Sequence, residues 1–88
     1  MICKYNKKYI LKKIEEFRRH NPLYDNIEGH VCYLVYLNPG ERGWFLHETG
    51  VWFDPPHRIH TSIVQDVVYS ENQVIVTTEN TQFTFEVI

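Results

Sequence analysis

The sequence contains no alanine, and its 88 residues include only two cysteines, four glycines and one methionine. Two cysteines, Cys3 and Cys32, do not make a disulfide framework, so we expect both to be free thiols in a reducing compartment. No apolar run approaches the roughly 18 residues of a membrane span, and the first residues lack the apolar stretch of a secretory signal. These absences predict a cytoplasmic protein without a membrane partner.

The motifs that carry the common catalytic chemistries are also missing. Ser62 and Ser70 do not stand in a Gly-x-Ser-x-Gly turn, which argues against a serine hydrolase. The glycines never fall into the Gly-x-Gly-x-x-Gly or Walker spacing that cradles phosphate. Cys32 lies in an apolar segment, where a thiol behaves as a small inert side chain. We therefore expect a non-enzymatic protein with no cofactor, and keep a metal-dependent hydrolase as an alternative.

Basic residues become scarce after residue 20. Residues 1–20 hold seven of the nine bases and two acids, a local charge of +5, whereas residues 21–88 hold two bases and nine acids, a local charge of −7. Such a separation of charge attracts oppositely charged partners to each half. Mutual neutralisation of the two halves, or simple exposure to water, is the alternative.

The basic segment has the apolar spacing of an amphipathic helix. Ile10, Leu11, Ile14 and Phe17 recur at intervals of three or four, which predicts a helix from about Asn6 to His20. We expect Phe17 to pack on the core, so that Phe17→Ala would cost roughly 3 to 5 kcal/mol. The opposite side of this helix would be a basic face formed by Lys7, Lys8, Lys12 and Lys13.

The rest of the chain, from about residue 30 to residue 88, predicts a β-meander. Residues 44–47 and 51–53 are expected to form a short hairpin that ends at Asp54-Pro55-Pro56, because proline cannot donate to a strand ladder. Asn80-Thr81 is expected to close a two-residue hairpin. The predicted strands cover residues 30–37, 44–47, 51–53, 59–69, 74–79 and 82–88.

Together these elements predict a single α+β domain over residues 1–88. An N-terminal amphipathic helix would pack on a curled antiparallel sheet of five or six strands. This order of elements resembles the small SH3-like and Sm-like barrels, here as a half-barrel. The strands carry no Sm-type RNA-binding motif, so the resemblance assigns no RNA-site residues.

A second resemblance covers about a third of the chain. The segments Ile59–Val67 and Val74–Phe85 resemble the C-terminal pattern of small uncharacterised proteins of low-GC Gram-positive bacteria and their phages, with Thr81 and Phe83 in place of Ser and Tyr. The abundance of Ile, Lys, Asn, Tyr and Phe, which have AT-rich codons, agrees with such a source. The resemblance implies a small β-rich scaffold of phage or mobile-element origin, and implies no activity.

Three potential metal ligands lie close together in the sequence. His47, Asp54 and His57 offer two imidazoles and a carboxylate, which suit zinc, and the Pro55-Pro56 bend can bring the two histidines together on adjacent strands. Their spacing matches no known zinc motif, and His57 and His60 point to opposite faces of an extended segment. We therefore assign no metal, and regard these residues as weak candidates.

Both tryptophans stand beside a phenylalanine, in Trp44-Phe45 and Trp52-Phe53. If the phenylalanines face the core, alternation turns both tryptophans outward; the reverse arrangement puts both tryptophans in the core. Exposed tryptophans next to cationic side chains form the mixture found at protein hot spots and at base-stacking sites. The candidate binding residues are Arg42, Trp44, Trp52, His57, Arg58 and His60.

These features predict a small interaction protein, of phage or mobile-element type, that inhibits or regulates a host protein. One alternative is a nucleic-acid binder that uses the basic helix, although the acidic remainder and the pI near 6.2 disfavour it. Another is a protein that sequesters a nucleotide between Trp44, Trp52 and Arg58. We expect a protein partner first and nucleic acid or a nucleotide second, and the sequence is compatible with a homo-oligomer.

Overall fold

The computed structural model describes residues 7–18, 20–25, 27–52 and 54–88, and the backbone alone of Leu23. In these residues each strand pairs antiparallel with the next one along the chain, and the last pairs with the first, which closes a barrel. The 3-10 helix Pro22–Tyr24 lies between the first two strands. The strands are β1 (Tyr9–Glu16), β2 (Val31–Tyr36), β3 (Arg42–His47), β4 (His57–Tyr69), β5 (Gln73–Thr78) and β6 (Thr81–Val87).

The predicted α+β fold is wrong, because the segment expected to be an amphipathic helix is strand β1. The described residues contain no α-helix, and none of them belongs to a helix long and apolar enough to cross a membrane. The expected half-barrel is also wrong, since β1 closes the sheet against β6. Asn6, at the predicted start of the helix, lies outside the described residues.

A β-bulge explains why β1 has helix-like spacing. Leu11 pairs with Phe85 and Lys13 pairs with Thr84, so Lys12 is an extra residue in the ladder. Leu11 is buried and Ile14 packs against the core, three positions apart instead of two. One inserted residue therefore turns strand alternation into intervals that imitate a helix.

The expected core role of Phe17 is also wrong. Its side chain is 49% exposed, and it follows the end of β1. The neighbouring backbone is still fixed, because the Phe17 amide donates to the carbonyl of Asn80 at 2.8 Å. Phe17 therefore contributes a surface contact, whereas Leu11 supplies the buried apolar group of this segment.

The predicted hairpin of residues 44–47 and 51–53 is replaced by a longer connection. Residues 44–47 belong to β3, but β3 pairs with β4, and residues 48–56 form the loop between them. The Asp54 amide donates to the Val51 carbonyl at 3.0 Å, which makes a turn in place of the second strand. Pro55 and Pro56 then delay pairing until His57. Phe53 lies outside the described residues.

The other predicted strands are confirmed, with small changes at their ends. The long strand expected at residues 59–69 is β4, and its first part pairs with β3 while its second part pairs with β5. A bulge between Val64 and Asp66 lies where it changes partner. The final hairpin loop is Glu79-Asn80, one residue earlier than expected, and the Thr78 hydroxyl accepts hydrogen bonds from the amides of Asn80 and Thr81.

Gly43 allows β2 and β3 to approach each other closely next to Trp44. A Cβ atom at this position would lie 2.7 Å from the carbonyl oxygen of Tyr36. Because this oxygen belongs to the backbone, no side-chain rotation can relieve the clash. The Gly43 amide donates to the Thr61 hydroxyl at 3.0 Å, which ties β3 to β4. The glycine therefore fixes the position of Trp44 on β3.

Aromatic side chains fill the interior of the barrel. The rings of Phe83 and Phe85 lie 5.5 and 5.2 Å from that of Phe45 in edge-to-face geometry. Tyr24 of the 3-10 helix packs edge-on against Phe83 at 5.3 Å. All three phenylalanines are fully buried, so their rings form the centre of the core.

The first prediction compares Phe17→Ala with Leu11→Ala. Phe17→Ala should lower the free energy of unfolding by less than about 1 kcal/mol, because half of the ring is already in water. Leu11→Ala should cost about 2 to 5 kcal/mol, because it leaves a cavity in the core. Urea unfolding of both variants measures these values. A loss above about 3 kcal/mol for Phe17→Ala would show that the Phe17 ring belongs to the core.

Candidate functional site

Five of the six candidate binding residues lie on the neighbouring strands β3 and β4. Trp44 is half-buried while Phe45 beside it is fully buried, so Trp44 points outward, as one arrangement of the sequence pattern predicted. The guanidinium carbon of Arg58 lies 4.2 Å from the centre of the Trp44 ring, a cation–π contact. His60 pairs with Trp44 across the strands. We call Trp44, Arg58 and His60 the Trp44 face.

Arg42 contributes to a pocket beside this face. Arg42 and His60 line an open, polar pocket of about 210 Å³ together with Thr61 and Ser62. The Thr61 hydroxyl is already engaged, since it accepts from the Gly43 amide and donates to the Ser62 carbonyl. The Ser62 hydroxyl donates to the Thr78 hydroxyl at 2.9 Å. The pocket therefore offers one permanent cation and an imidazole to a small polar or anionic group.

Two tyrosines of β2 border the Trp44 face, and the sequence analysis did not select them. The Tyr36 hydroxyl donates to Glu41 at 2.5 Å, which raises the pKa of Tyr36 and lowers that of Glu41. The Tyr33 hydroxyl donates to Glu48, and this bond raises the pKa of Tyr33 to about 12. A β-bulge between Leu34 and Tyr36 puts both tyrosines on the outer face of β2, where Tyr33 pairs with Leu46 and Tyr36 pairs with Trp44. This border is acidic, in contrast to Arg58.

Trp52 lies apart from the Trp44 face, on the loop formed by residues 48–56, which we call the Trp52 loop. Its side chain is 94% exposed, and the neighbouring Val51 is 44% exposed. The loop borders an open groove of about 500 Å³ whose lining includes the carboxylate residues Glu48 and Asp54. The expectation that both tryptophans lie on adjacent strands is wrong, because the second strand of the expected hairpin does not form.

Hydrogen bonds hold the Trp52 loop in place at its base and at its tip. The Glu48 amide donates to the Val31 carbonyl at 2.8 Å, and the Glu48 carboxylate accepts from Tyr33. At the tip, the bond between Val51 and Asp54 closes the turn that carries Trp52. Gly50, with φ of +86°, supplies the left-handed backbone that leads into this turn.

Three histidines meet at the base of the same loop. His47, which ends β3, pairs with His57, which begins β4, and their rings contact edge to face at 5.7 Å. The proximity of these two residues was predicted from the sequence and is confirmed. The Nδ1 atoms of His30 and His47 lie 3.3 Å apart. The sequence analysis did not select His30. The register of β2 with β3 explains its position, because Val31 and Cys32, which follow His30, lie beside the end of β3.

The structure does not assemble the weak metal candidates into a metal site. Asp54 lies 3.4 Å from the Nε2 atom of His57, so two of the three residues are in contact. In the described part of the chain, however, no group of three or more His, Cys, Asp or Glu side chains is arranged to hold a metal ion. The histidines instead contact each other and Asp54.

The basic face expected on the helix does not exist, because its residues are not helical. Lys7 and Lys8 precede β1, and Lys12 and Lys13 lie on it; all four are exposed. Lys13 forms a surface ion pair with Glu15 at 3.8 Å, which contributes little to stability. These lysines form an exposed basic segment before and along β1 rather than one side of a helix.

Cys32 lies inside the barrel, where its thiol is shielded from solvent. It is a fully buried free thiol, and burial raises its pKa to about 12. The Sγ atom donates weakly to the His30 carbonyl at 3.6 Å. Cys3 lies outside the described residues.

Comparisons with models of protein families, with curated proteins and with solved structures give no match to this chain. The resemblance of residues 59–85 to small proteins of low-GC Gram-positive bacteria and their phages stays a prediction. The function proposed below therefore depends on the geometry of the side chains.

The second prediction concerns the reactivity of Cys32 in a Cys3→Ser variant. A water-soluble aromatic disulfide should modify Cys32 only when the barrel unfolds, because the native thiol is both buried and protonated near neutral pH. The same reagent should react at once in denaturant. Rapid modification under native conditions would show that the interior between β1 and β2 is open. In the wild-type protein, which keeps both Cys3 and Cys32, reductant should leave the melting temperature unchanged.

Proposed function

We propose that the protein is a small interaction domain, not an enzyme, which binds a protein partner with Trp52 as its anchor. The observation that carries the proposal is a tryptophan side chain that is 94% exposed on a loop held by hydrogen bonds. Tryptophan is among the residues that most often dominate binding energy at protein interfaces. Most of this large apolar side chain is therefore available for burial against a partner.

The conformation of the Trp52 loop lowers the cost of binding. The Val51–Asp54 turn fixes the loop tip, and Pro55 and Pro56 have restricted backbones on its return to β4. A partner that takes up Trp52 therefore orders few additional backbone bonds. Such preorganisation increases affinity without enlarging the interface.

The charges around Trp52 define the complementary surface. Glu48 and Asp54 line the groove beside the tryptophan, and residues 21–88 carry a local charge of −7. The fitting partner is a protein with an apolar pocket for the indole and with lysine or arginine residues at the rim of that pocket. A mobile-element accessory that inhibits or regulates a host protein is an interaction protein of this kind.

The third prediction is that Trp52→Ala separates binding from folding. The variant should lose less than about 1 kcal/mol of stability, because the indole is in water, and should bind the partner at least about 30-fold more weakly. The partner is first isolated from a lysate of the source organism by crosslinking to the wild-type protein, and its affinity is then measured with purified components by calorimetry.

Phe17→Ala is the matched control for Trp52→Ala. It also removes an exposed aromatic side chain, from another part of the barrel, and should leave the affinity unchanged. Equal affinity of wild type and Trp52→Ala for the purified partner would remove Trp52 as the anchor. A loss of about 3 kcal/mol of stability in Trp52→Ala would instead assign the indole to the core.

A second candidate function is the binding of a phosphate-bearing ligand, such as a nucleotide or a single nucleic-acid strand, at the Trp44 face. The observation that favours it is the Trp44–Arg58 stack next to the pocket of Arg42 and His60, because bases stack on aromatic or guanidinium planes and cations bind phosphate. Glu41 and Glu48 on the β2 side disfavour a long polyanion. A mononucleotide meets fewer of these charges.

The fourth prediction tests this second candidate with adenosine triphosphate and a thymidine oligonucleotide. If the Trp44 face binds them, tryptophan fluorescence should change on titration, and Arg58→Ala should abolish the change while Lys12→Ala retains it. The affinity should also fall as salt rises. No change with either ligand at millimolar concentration would leave protein binding as the function of this barrel.

A further inference from the structure

Three imidazoles form a cluster where the Trp52 loop joins the barrel. His47 immediately precedes the loop and His57 immediately follows it, and the two pair across β3 and β4. His30 lies against His47, with ring centres 5.5 Å apart and ring planes inclined by 30°. The three elements that meet here are the segment before β2, the end of β3 and the start of β4.

The contact between His30 and His47 depends on how many protons the pair holds. Their Nδ1 atoms face each other at 3.3 Å, so one must carry the hydrogen and the other must accept it. When both rings are protonated, both Nδ1 atoms are donors, the hydrogen bond is lost, and two positive charges face each other at this distance. Acidification therefore breaks a contact that neutral pH permits.

Burial makes His47 sensitive to this change. Its side chain belongs to a residue only 8% exposed, and desolvation, followed by the neighbouring His30 and His57, lowers its pKa below the ordinary value of 6.5. The unfolded chain consequently takes up the proton first as pH falls. The stabilisation is present above about pH 6.5 and is lost as pH falls from that value through the folded-state pKa of His47.

The other titratable groups around the cluster lie mainly on the loop. Asp54 contacts His57, and a hydrogen bond with the Glu48 backbone favours the charged form of His47 but does not outweigh burial. On β2, Cys32 stays a neutral thiol because its pKa is about 12. The Glu48 carboxylate already accepts a hydrogen bond from the Tyr33 hydroxyl. Positive charges on the histidines of the cluster therefore repel one another and attract the carboxylates of the Trp52 loop.

We propose that the cluster of His30, His47 and His57 is a pH-sensitive latch, which holds the Trp52 loop in its present position at neutral pH and shifts it on mild acidification. Positive charge in the cluster breaks the contact of His30 with His47 and draws Asp54 of the loop towards the histidines. This shift changes the direction in which the loop presents Trp52. Its consequence for partner binding rests on the proposed function, whereas the latch itself is a property of the free protein.

Nuclear magnetic resonance of the free protein tests the latch between about pH 7.5 and about pH 5. In the wild type, the amide signals of the Trp52 loop and the Trp52 indole signal should move together, with a midpoint below pH 6.5. His30→Gln removes one facing imidazole, and His57→Gln removes the other neighbouring charge from an exposed position. Each variant should raise the midpoint of the loop transition by about half a pH unit or more.

Two histidines outside the cluster provide the controls. His60 lies on the Trp44 face, and His20 is bonded to Glu16 and Asp25 at 2.8 and 2.6 Å. These bonds raise the pKa of His20, and the bond to Glu16 contributes most to this rise. The stabilisation that His20 provides is therefore lost as pH rises, whereas that of His47 is lost as pH falls. His20→Gln and His60→Gln should leave the loop transition unchanged.

Loop signals that stay in place across this pH range, or that titrate identically in the wild type, His30→Gln and His57→Gln, would overturn the latch. The failure of the proposed function has a different signature. In that case the loop still titrates in the free protein, but Trp52→Ala does not change affinity for the purified partner. If the loop titrates and Trp52→Ala also weakens binding, the affinity of the wild type for that partner should change over the same pH range as the loop signals.

Discussion

The contact of Phe45 with Phe83 and Phe85 is the interaction on which the barrel depends. It joins β3 to β6, which are not neighbours in the sheet, across the interior. Because Phe83 and Phe85 also face Ile14 and Leu11 in the register with β1, the same cluster supports the closure of the barrel. Successive side chains of a strand point to opposite faces of the sheet. Because these rings fill the interior, the side chains that alternate with them lie on the outer surface of the barrel.

The positions of the Trp44 face and of the Trp52 loop both follow from this division into inward and outward side chains. Phe45 points inward, so Trp44 next to it points outward and meets Arg58 and His60 from β4. At one end of the barrel β3 ends at the buried His47, and β4 begins at the exposed His57. The Trp52 loop connects these two residues, which links this end of the barrel to the exposed Trp52 side chain.

The sequence was sufficient for the strands in which alternation is unbroken. In β6, Phe83 and Phe85 alternate with polar residues, and β2, β4 and β5 were also placed nearly correctly. β1 was misread because the extra residue Lys12 changes the spacing from two to three. A local pattern cannot distinguish such a bulge from a helical turn, since the distinction is made by pairing with β6, some seventy positions along the chain.

The site was predictable only in part for the same reason. The proximity of His47 and His57 followed from one turn between adjacent segments, whereas the contact of His30 with His47 requires the register of β2 with β3. Trp44 and Trp52 had equivalent sequence surroundings and received equivalent interpretations. Their exposures differ because Trp44 lies in a ladder and Trp52 lies in a turn, which depends on how far the pairing of β3 with β4 extends.

The pairing of His47 with His57 also separates the barrel from the Trp52 loop. The ladder between β3 and β4 is complete at these two residues, so the loop from 48 to 56 contributes no residue to it. Lengthening a surface loop costs little conformational entropy. Evolution, or a combinatorial library, can therefore vary this loop widely while the aromatic interior keeps the same barrel. One scaffold can in this way acquire recognition surfaces for unrelated targets.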